Sequence, residues 1–399
     1  MDITSFQQLL TPPGQEALQV ASLLNPREVD FLSHFQALSK RFPRELARAA
    51  LETAILRLQA IQKFPRAKIM YFTRIALEQA SSWAVSTYRA TRYRDHPMVL
   101  DLGCSIGGDT LALVERLYTV GVDREPLRLA MARANLLALG LVDQADIIAA
   151  DLNQAIPFQL PPRTAAFFDP ARRHNGRRLH SVSEYIPPLG IIENWLPFCP
   201  DLGVKLSPAV NLEELKRYDA EVEFISLDGE LKEAVLWFGA LKSLRLRATV
   251  LPGTHTLASV EDIQQDERDF LPLSEPRAFI YEPDPAVMRA GLVQQLGRQL
   301  DAAQLDPDIA YLTADHQIDT PFARSWQVDD WIPFGVKRTR AFLRERQVGR
   351  VTVKKRGSPI MPEEFTQMLR LNKDHHAERI LFLTHLRGRP IVIIAYPSK

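Results

Sequence analysis

Two hydrophobic rhythms divide this chain. Up to about residue 92, apolar positions recur at helical spacing. In Arg44–Ile61 (RELARAALETAILRLQAI) Leu46, Ala50, Leu51, Ala54, Ile55 and Leu58 share one face, and a second helical pattern runs through Ala76–Ala90. The spacing predicts an N-terminal helical region, residues 1–92, packed as a cap on the neighbouring domain. From Met98 short apolar runs alternate with helical segments. MVLDL, YTVGVD, ADIIAAD and TAAFFD read as strands, with helices in DTLALVERL and over Pro126–Leu139. Unbroken apolar strands separated by helices predict an α/β fold, with a parallel sheet covered on both faces.

GVKLS, EVEFISL, EAVLWFGAL and LRATVL continue that sheet, and Asp228–Gly229 is a hairpin signal, so an antiparallel pair is expected at its edge. The expected sheet domain covers residues 93–270. The Pro- and acid-rich stretch Leu271–Pro285 then leads into a separate α+β segment, 275–399. There a helix over Pro285–Leu300, short strands, the stretch KRGSPIMPEEFTQMLRL and a last strand in RPIVIIAYP are expected.

Composition narrows the classes. Of 399 residues 46% are hydrophobic and 24% charged, an ordinary globular balance, and the length suits two or three domains. The formal net charge is +1, so any affinity for nucleic acid must come from local patches. Two cysteines, Cys104 and Cys199, exclude a disulfide framework and a cysteine-built zinc site. His375 and His376 lack supporting ligand spacing, so no metal is expected. The N-terminal MDITSFQQLLTPPGQEAL is not patterned as a signal peptide, and no apolar run reaches the ~20 residues that cross a bilayer. The expected location is the cytoplasm, without membrane association.

The candidate chemistry begins at Asp101-Leu-Gly-Cys-Ser-Ile-Gly-Gly108, where a strand runs through a glycine turn into a helix. Gly103 and Gly107 allow backbone to approach a ligand closely. Asp123 ends the next strand, where a carboxylate suits the two hydroxyls of a ribose, and Asp151 ends the third, within reach of an adenine amine. The turn is not the G-x-G-x-x-G of dinucleotide sites, and carboxylates oppose a pyrophosphate but suit a cationic ligand. Asp101, Gly103, Gly107, Asp123 and Asp151 together resemble the signature of class I S-adenosylmethionine-dependent methyltransferases. The resemblance implies a Rossmann-like seven-stranded sheet and S-adenosylmethionine as cofactor.

The fourth strand ends Phe167-Phe-Asp-Pro-Ala-Arg-Arg173. Methyltransferases acting on nitrogen carry Asp/Asn-Pro-Pro-aromatic here. Asp169 and Pro170 match its first half and are the candidate catalytic pair, whereas Ala171 and Arg172 depart from it. Arg172 and Arg173, with Arg163, Arg177 and Arg178 nearby, supply donors for phosphate. Lys205 is a further candidate substrate contact. The segment VKLSPAV has Ser207 where uracil C5 methyltransferases require a nucleophilic cysteine, which disfavours that covalent route.

KFPRAKIMYFTRIALEQA, DLGCSIGGD, FFDPARR, VKLSPAV, KEAVLWFGAL, YEPDPAVMRAGLV and IAYLT together resemble a bacterial methyltransferase family with a C-terminal THUMP-like domain. That resemblance implies methyl transfer, and by analogy an RNA partner, tRNA or rRNA. A basic run from Lys337 to Arg356 (Lys337, Arg338, Arg340, Arg344, Arg346, Arg350, Lys354, Lys355 and Arg356) points the same way. The competing readings are a small-molecule or protein methyltransferase, and an RNA-binding protein with a vestigial cofactor fold.

Overall fold

The computed structural model describes residues 1–153, 160–174, 177–179, 181–259 and 270–397; of residues 173, 174 and 178 it describes backbone only. Contacts divide the chain into two units, Met1–Val222 with Lys232–Ser243, and Glu223–Leu231 with Leu244–Lys399.

The first unit opens with α1 (Ile3–Leu9), α2 (Pro12–Leu23), α3 (Phe31–Leu38) and α4 (Arg44–Ala60). Every residue singled out on the α4 face is buried except Leu58, which is 37% exposed. The helix expected over Ala76–Ala90 is instead α5 (Arg74–Gln79) and α6 (Trp83–Ala90). The break has a cause: Lys63 Nζ donates to the carbonyls of Leu77, Glu78 and Ala80 at 2.7, 3.1 and 3.0 Å, closing α5. Asn135, fully buried, ties this region to the sheet domain, donating to the Tyr71 and Ile106 carbonyls and accepting from Tyr71 N–H.

Then come β1 (Met98–Leu102), α7 (Gly108–Leu113), β2 (Tyr118–Asp123), α8 (Pro126–Leu139), β3 (Ala145–Ala149), β4 (Ala165–Phe168) and β5 (Leu202–Leu206). β6 (Glu221–Leu227) has only its first two residues in this unit, and β7 (Glu230–Trp237) has most of its length here. In sheet order the unit's strands are β3-β2-β1-β4-β5-β7, parallel from β3 to β5, with β7 antiparallel to β5. The antiparallel strand expected at the edge lies inside the sheet instead, since β7 has a strand on each side. β1, β4 and β5 are almost wholly buried, which is why they read as continuous apolar runs. Asp228 and Gly229 both take positive φ, 55° and 77°, the type I′ hairpin geometry.

The second unit carries β8 (Leu246–Leu251) and β9 (His255–Ala258), then β10 (Phe279–Pro283), α9 (Pro285–Arg289), α10 (Val293–Gln299), β11 (Ala303–Asp306), β12 (Ile309–Ala314) and β13 (Ala323–Pro333). It ends with α11 (Val336–Glu345), β14 (Val348–Lys355), α12 (Pro362–Leu369), β15 (Ala377–Leu386) and β16 (Arg389–Ala395). The single helix expected over Pro285–Leu300 is two, because the chain turns at Gly291 with φ 70°. A seven-stranded sheet runs β11-β12-β10-β13-β16-β15-β14. The contact division falls earlier than the boundary drawn near residue 275. Arg289 lies 5.1 Å over the Phe224 ring, and Thr249 Oγ1 donates to Glu223 at 2.5 Å, so strands before 275 share contacts with elements after it.

No helix among the described residues is long and apolar enough to cross a membrane.

Candidate active site

The glycine turn is shaped by its neighbour strand. Gly103 has φ 89°, and a Cβ there would stand 2.8 Å from the Asp169 carbonyl, so any larger residue would push the β4 turn away. Gly103 N–H donates to the Val122 carbonyl at 2.8 Å. Asp123 locks the other side: Oδ2 accepts from Ser105 N–H and Oδ1 from Glu125 N–H, both at 2.9 Å. Each oxygen keeps a further acceptor position.

These elements surround a cavity of about 370 Å³ in the first unit. Gly103, Asp123, Asp151, Asp169, Pro170 and Arg172 line it. Asp151 stands two residues beyond β3, its carboxylate held below the usual range by Asn153 N–H and the Asn153 side chain. Asp101, Gly107 and Lys205 are not among the lining residues. Lys205 lies behind the acceptor turn, its Nζ donating to Asp169 Oδ2 at 2.6 Å with its side chain 3% exposed. It is thus a partner of Asp169, where the sequence suggested a substrate contact. Arg173 falls in a two-residue backbone ladder with Arg178, and its side chain lies outside the described part. Arg163 precedes β4, at the end away from Asp169, and donates to the Asp95 carbonyl. Cys199 is buried, its thiol pushed up to about 12 by burial and then by Asp201.

Sequence reasoning passed over Asp109, in the first turn of α7, which also lines the cavity. Its Oδ1 accepts from Ser86 Oγ and Arg89 Nη2, each at 2.5 Å. Arg89 ion-pairs with Glu233 at 2.9 Å on its other side and lies 4.4 Å over the Phe167 ring. Burial works against ionising Asp109, but Arg89, then Lys205 and the two hydrogen bonds, bring its carboxyl below the usual range. Asp101 behaves oppositely. Burial, and then the charge of Asp109, push it up to about 8, with a hydrogen bond from Thr110 opposing. Asp101 Oδ1 is buried without a hydrogen-bond partner among the described residues.

That shift has a measurable consequence. Between the usual carboxylate value and about 8 the folded chain holds a proton that the unfolded chain releases, so this group's contribution to stability falls as pH rises through that window. Asp101→Asn removes the titration while leaving an acceptor for Thr110. Urea unfolding at pH 5 and pH 8.5 is expected to show a decline smaller by about 2 kcal/mol in the variant. Equal declines would mean that Asp101 is ionised throughout.

A carboxylate-rimmed cavity at the carboxyl ends of parallel strands, with an Asp-Pro turn at one side, suits a cationic adenosyl donor. The carboxylates of Asp109, Asp123 and Asp151 on the cavity wall fit such a ligand better than a pyrophosphate. The fold and cavity together define an S-adenosylmethionine-dependent methyltransferase. Two strains of Mycobacterium tuberculosis, CDC 1551 / Oshkosh and ATCC 25618 / H37Rv, each carry an uncharacterized S-adenosylmethionine-dependent methyltransferase 36% identical over 333 residues, spanning 80% of this chain and 88% of the relative. Residues 323–397 match the THUMP domain-like family, and residues 2–60 match a domain of unknown function, DUF8688. The crystal structure of a methyltransferase candidate from Porphyromonas gingivalis W83 shares the fold, with TM-score 0.80, 21% identity and coverage of 98% of this chain and 99% of that one. The chain belongs to the bacterial family of class I S-adenosylmethionine-dependent methyltransferases with a THUMP-like C-terminus. Its cofactor is S-adenosylmethionine.

Proposed function

We propose that this methyltransferase acts on RNA, tRNA or rRNA, in the cytoplasm, with chemistry at Asp169 and nucleic-acid contacts on the C-terminal domain. In this reading residues 1–92 roof the cavity, 93–270 form the catalytic domain and 275–399 the RNA-holding domain. Asp123 receives the ribose hydroxyls and Asp151 the adenine amine, while Gly103 and Gly107 keep the turn open for the ligand. The cofactor supplies an electrophilic methyl group on a sulfonium. Pro170 fixes the turn, and Asp169 accepts a hydrogen bond from the acceptor group, aligning it for transfer. Lys205 holds that carboxylate in place. Arg172, at the cavity wall, and the adjoining Arg173 offer planar donors to a phosphate.

The observation that carries the RNA reading is the THUMP-like segment with its unpaired cations. Several members of the basic run are used internally: Arg340 donates to the Leu369 carbonyl, Lys354 pairs with Glu282 and Arg350 with Glu378. Lys337, Arg338 and Arg344 on α11, and Arg370 and Lys373 after α12, are exposed and have no ion-pair partner among the described residues. Arg370 and Lys373 border a groove of about 560 Å³ along β14.

The test is incubation of the protein with labelled S-adenosylmethionine and total RNA from a strain lacking it, followed by nucleoside mass spectrometry. Label confined to protein or small molecules would defeat the reading. Reversing Lys337, Arg338 and Arg344 together to Glu is expected to weaken RNA binding at least about tenfold and to reduce the log–log salt slope by about three. An unchanged slope would remove α11 from the interface.

A further inference from the structure

We propose that Asp109, and not Asp101, is the carboxylate that receives the ammonium of the cofactor's amino-acid tail, and that Arg89 and Ser86 position it for that contact. The inference rests on the reading of the cavity as the cofactor site.

Three observations support it. The first is access. Asp101 is 1% exposed, is absent from the cavity wall, and has Oδ2 engaged by Thr110 Oγ1 at 2.5 Å. Asp109 lines the cavity with its side chain 14% exposed. The second is acceptor capacity. Both contacts from α6, Ser86 Oγ and Arg89 Nη2, converge on Oδ1, and Oδ2 has no partner among the described residues. One oxygen is fixed and the other is left to accept.

The third is charge. Asp109 shares both cations that act on it, because Arg89 also pairs with Glu233 and Lys205 with Asp169. Its negative charge is therefore only partly offset, which leaves it attractive to an incoming ammonium. Placement agrees. With ribose at Asp123, the last residue of β2, adenine at Asp151, beyond β3, and the acceptor at Asp169, beyond β4, the remaining part of the ligand falls at β1 and the first turn of α7. Asp109 stands there.

The experiment is calorimetric titration of the full chain with three ligands: S-adenosylmethionine, S-adenosylhomocysteine and 5′-methylthioadenosine. The first two carry the ammonium, and the third has the adenosyl group and sulfur without the amino acid. Asp109→Asn is expected to weaken the first two by about 30-fold or more, leaving methylthioadenosine within about twofold. Retained methylthioadenosine binding also shows that the variant is folded. Asp123→Ala is the control for the cavity, expected to weaken all three ligands alike. Equal loss of all three in Asp109→Asn, or no loss of any, overturns the proposal. If Asp123→Ala changes none of them, the cavity reading fails first and the inference falls with it.

Discussion

Asp169→Ala is expected to lower the rate of methyl transfer by about 10²-fold or more, while affinity for S-adenosylmethionine shifts less than about threefold. The reason is geometric. Asp169 sits at the cavity wall, 22% exposed at its side chain, and one oxygen is occupied by Lys205 at 2.6 Å. The other is available to align an acceptor, and methyl transfer from sulfur depends steeply on that alignment. In the proposed reading the cofactor's direct contacts lie on other strands, so ground-state binding is expected to depend little on this side chain. Removing the carboxylate also leaves Lys205 buried without its ion-pair partner, which costs stability. Asp169→Asn separates the effects, since it keeps an acceptor and removes only the charge. Single-turnover rates with saturating cofactor and an RNA acceptor decide the matter, and a fully active Asp169→Ala enzyme would remove this residue from the chemistry.

The parts of this site that were legible in the sequence are those where backbone geometry restricts residue choice. The glycine turn was readable because Gly103 meets the Asp169 carbonyl at a distance no Cβ tolerates, so the motif announces a close approach of two strands. Asp123 was readable because it ends a largely buried strand, and its two N–H partners hold it at the strand end. β1, β4 and β5 were readable from burial on both faces. Asp109 was not, because an acid in a helix's first turn is ordinary helix chemistry. Its importance comes from Arg89, twenty residues upstream on another helix, a long-range pairing that local periodicity does not encode. The partner of Lys205 was hidden for the same reason: a lysine at a strand end shows nothing of the carboxylate it meets, here Asp169. The break between α5 and α6 depends on Lys63, which caps three carbonyls from a preceding loop and leaves no mark on the helical pattern itself.

The larger effect on stability is expected at Arg89. Its guanidinium is 3% exposed at the side chain and bridges Asp109 at 2.5 Å and Glu233 at 2.9 Å, with Phe167 beneath. Burial disfavours its charge, but the carboxylates Asp109, Glu233 and Asp169 outweigh burial and raise its pKa. Arg89→Met keeps much of the volume and removes the cation, leaving buried Glu233 and cavity-wall Asp109 without the group that joins them. The expected cost is about 3–5 kcal/mol, read as a shift in the urea midpoint at pH 7. The pH dependence of that cost has a definite sign. With Arg89 present, Asp109 stays ionised below the usual carboxylate range, so its contribution is present at neutral pH and lost as pH falls through the lowered value. Without Arg89, burial lifts Asp109 and raises the already elevated Glu233 further, and protonation relieves the variant, so the gap between variant and parent should narrow on going from pH 7 to pH 5. Arg89→Lys is expected to recover only part of the loss, because one ammonium cannot reproduce two separate arms of a planar fork. A gap that stays constant with pH would show that Arg89 acts through packing on Phe167 and not through its charge.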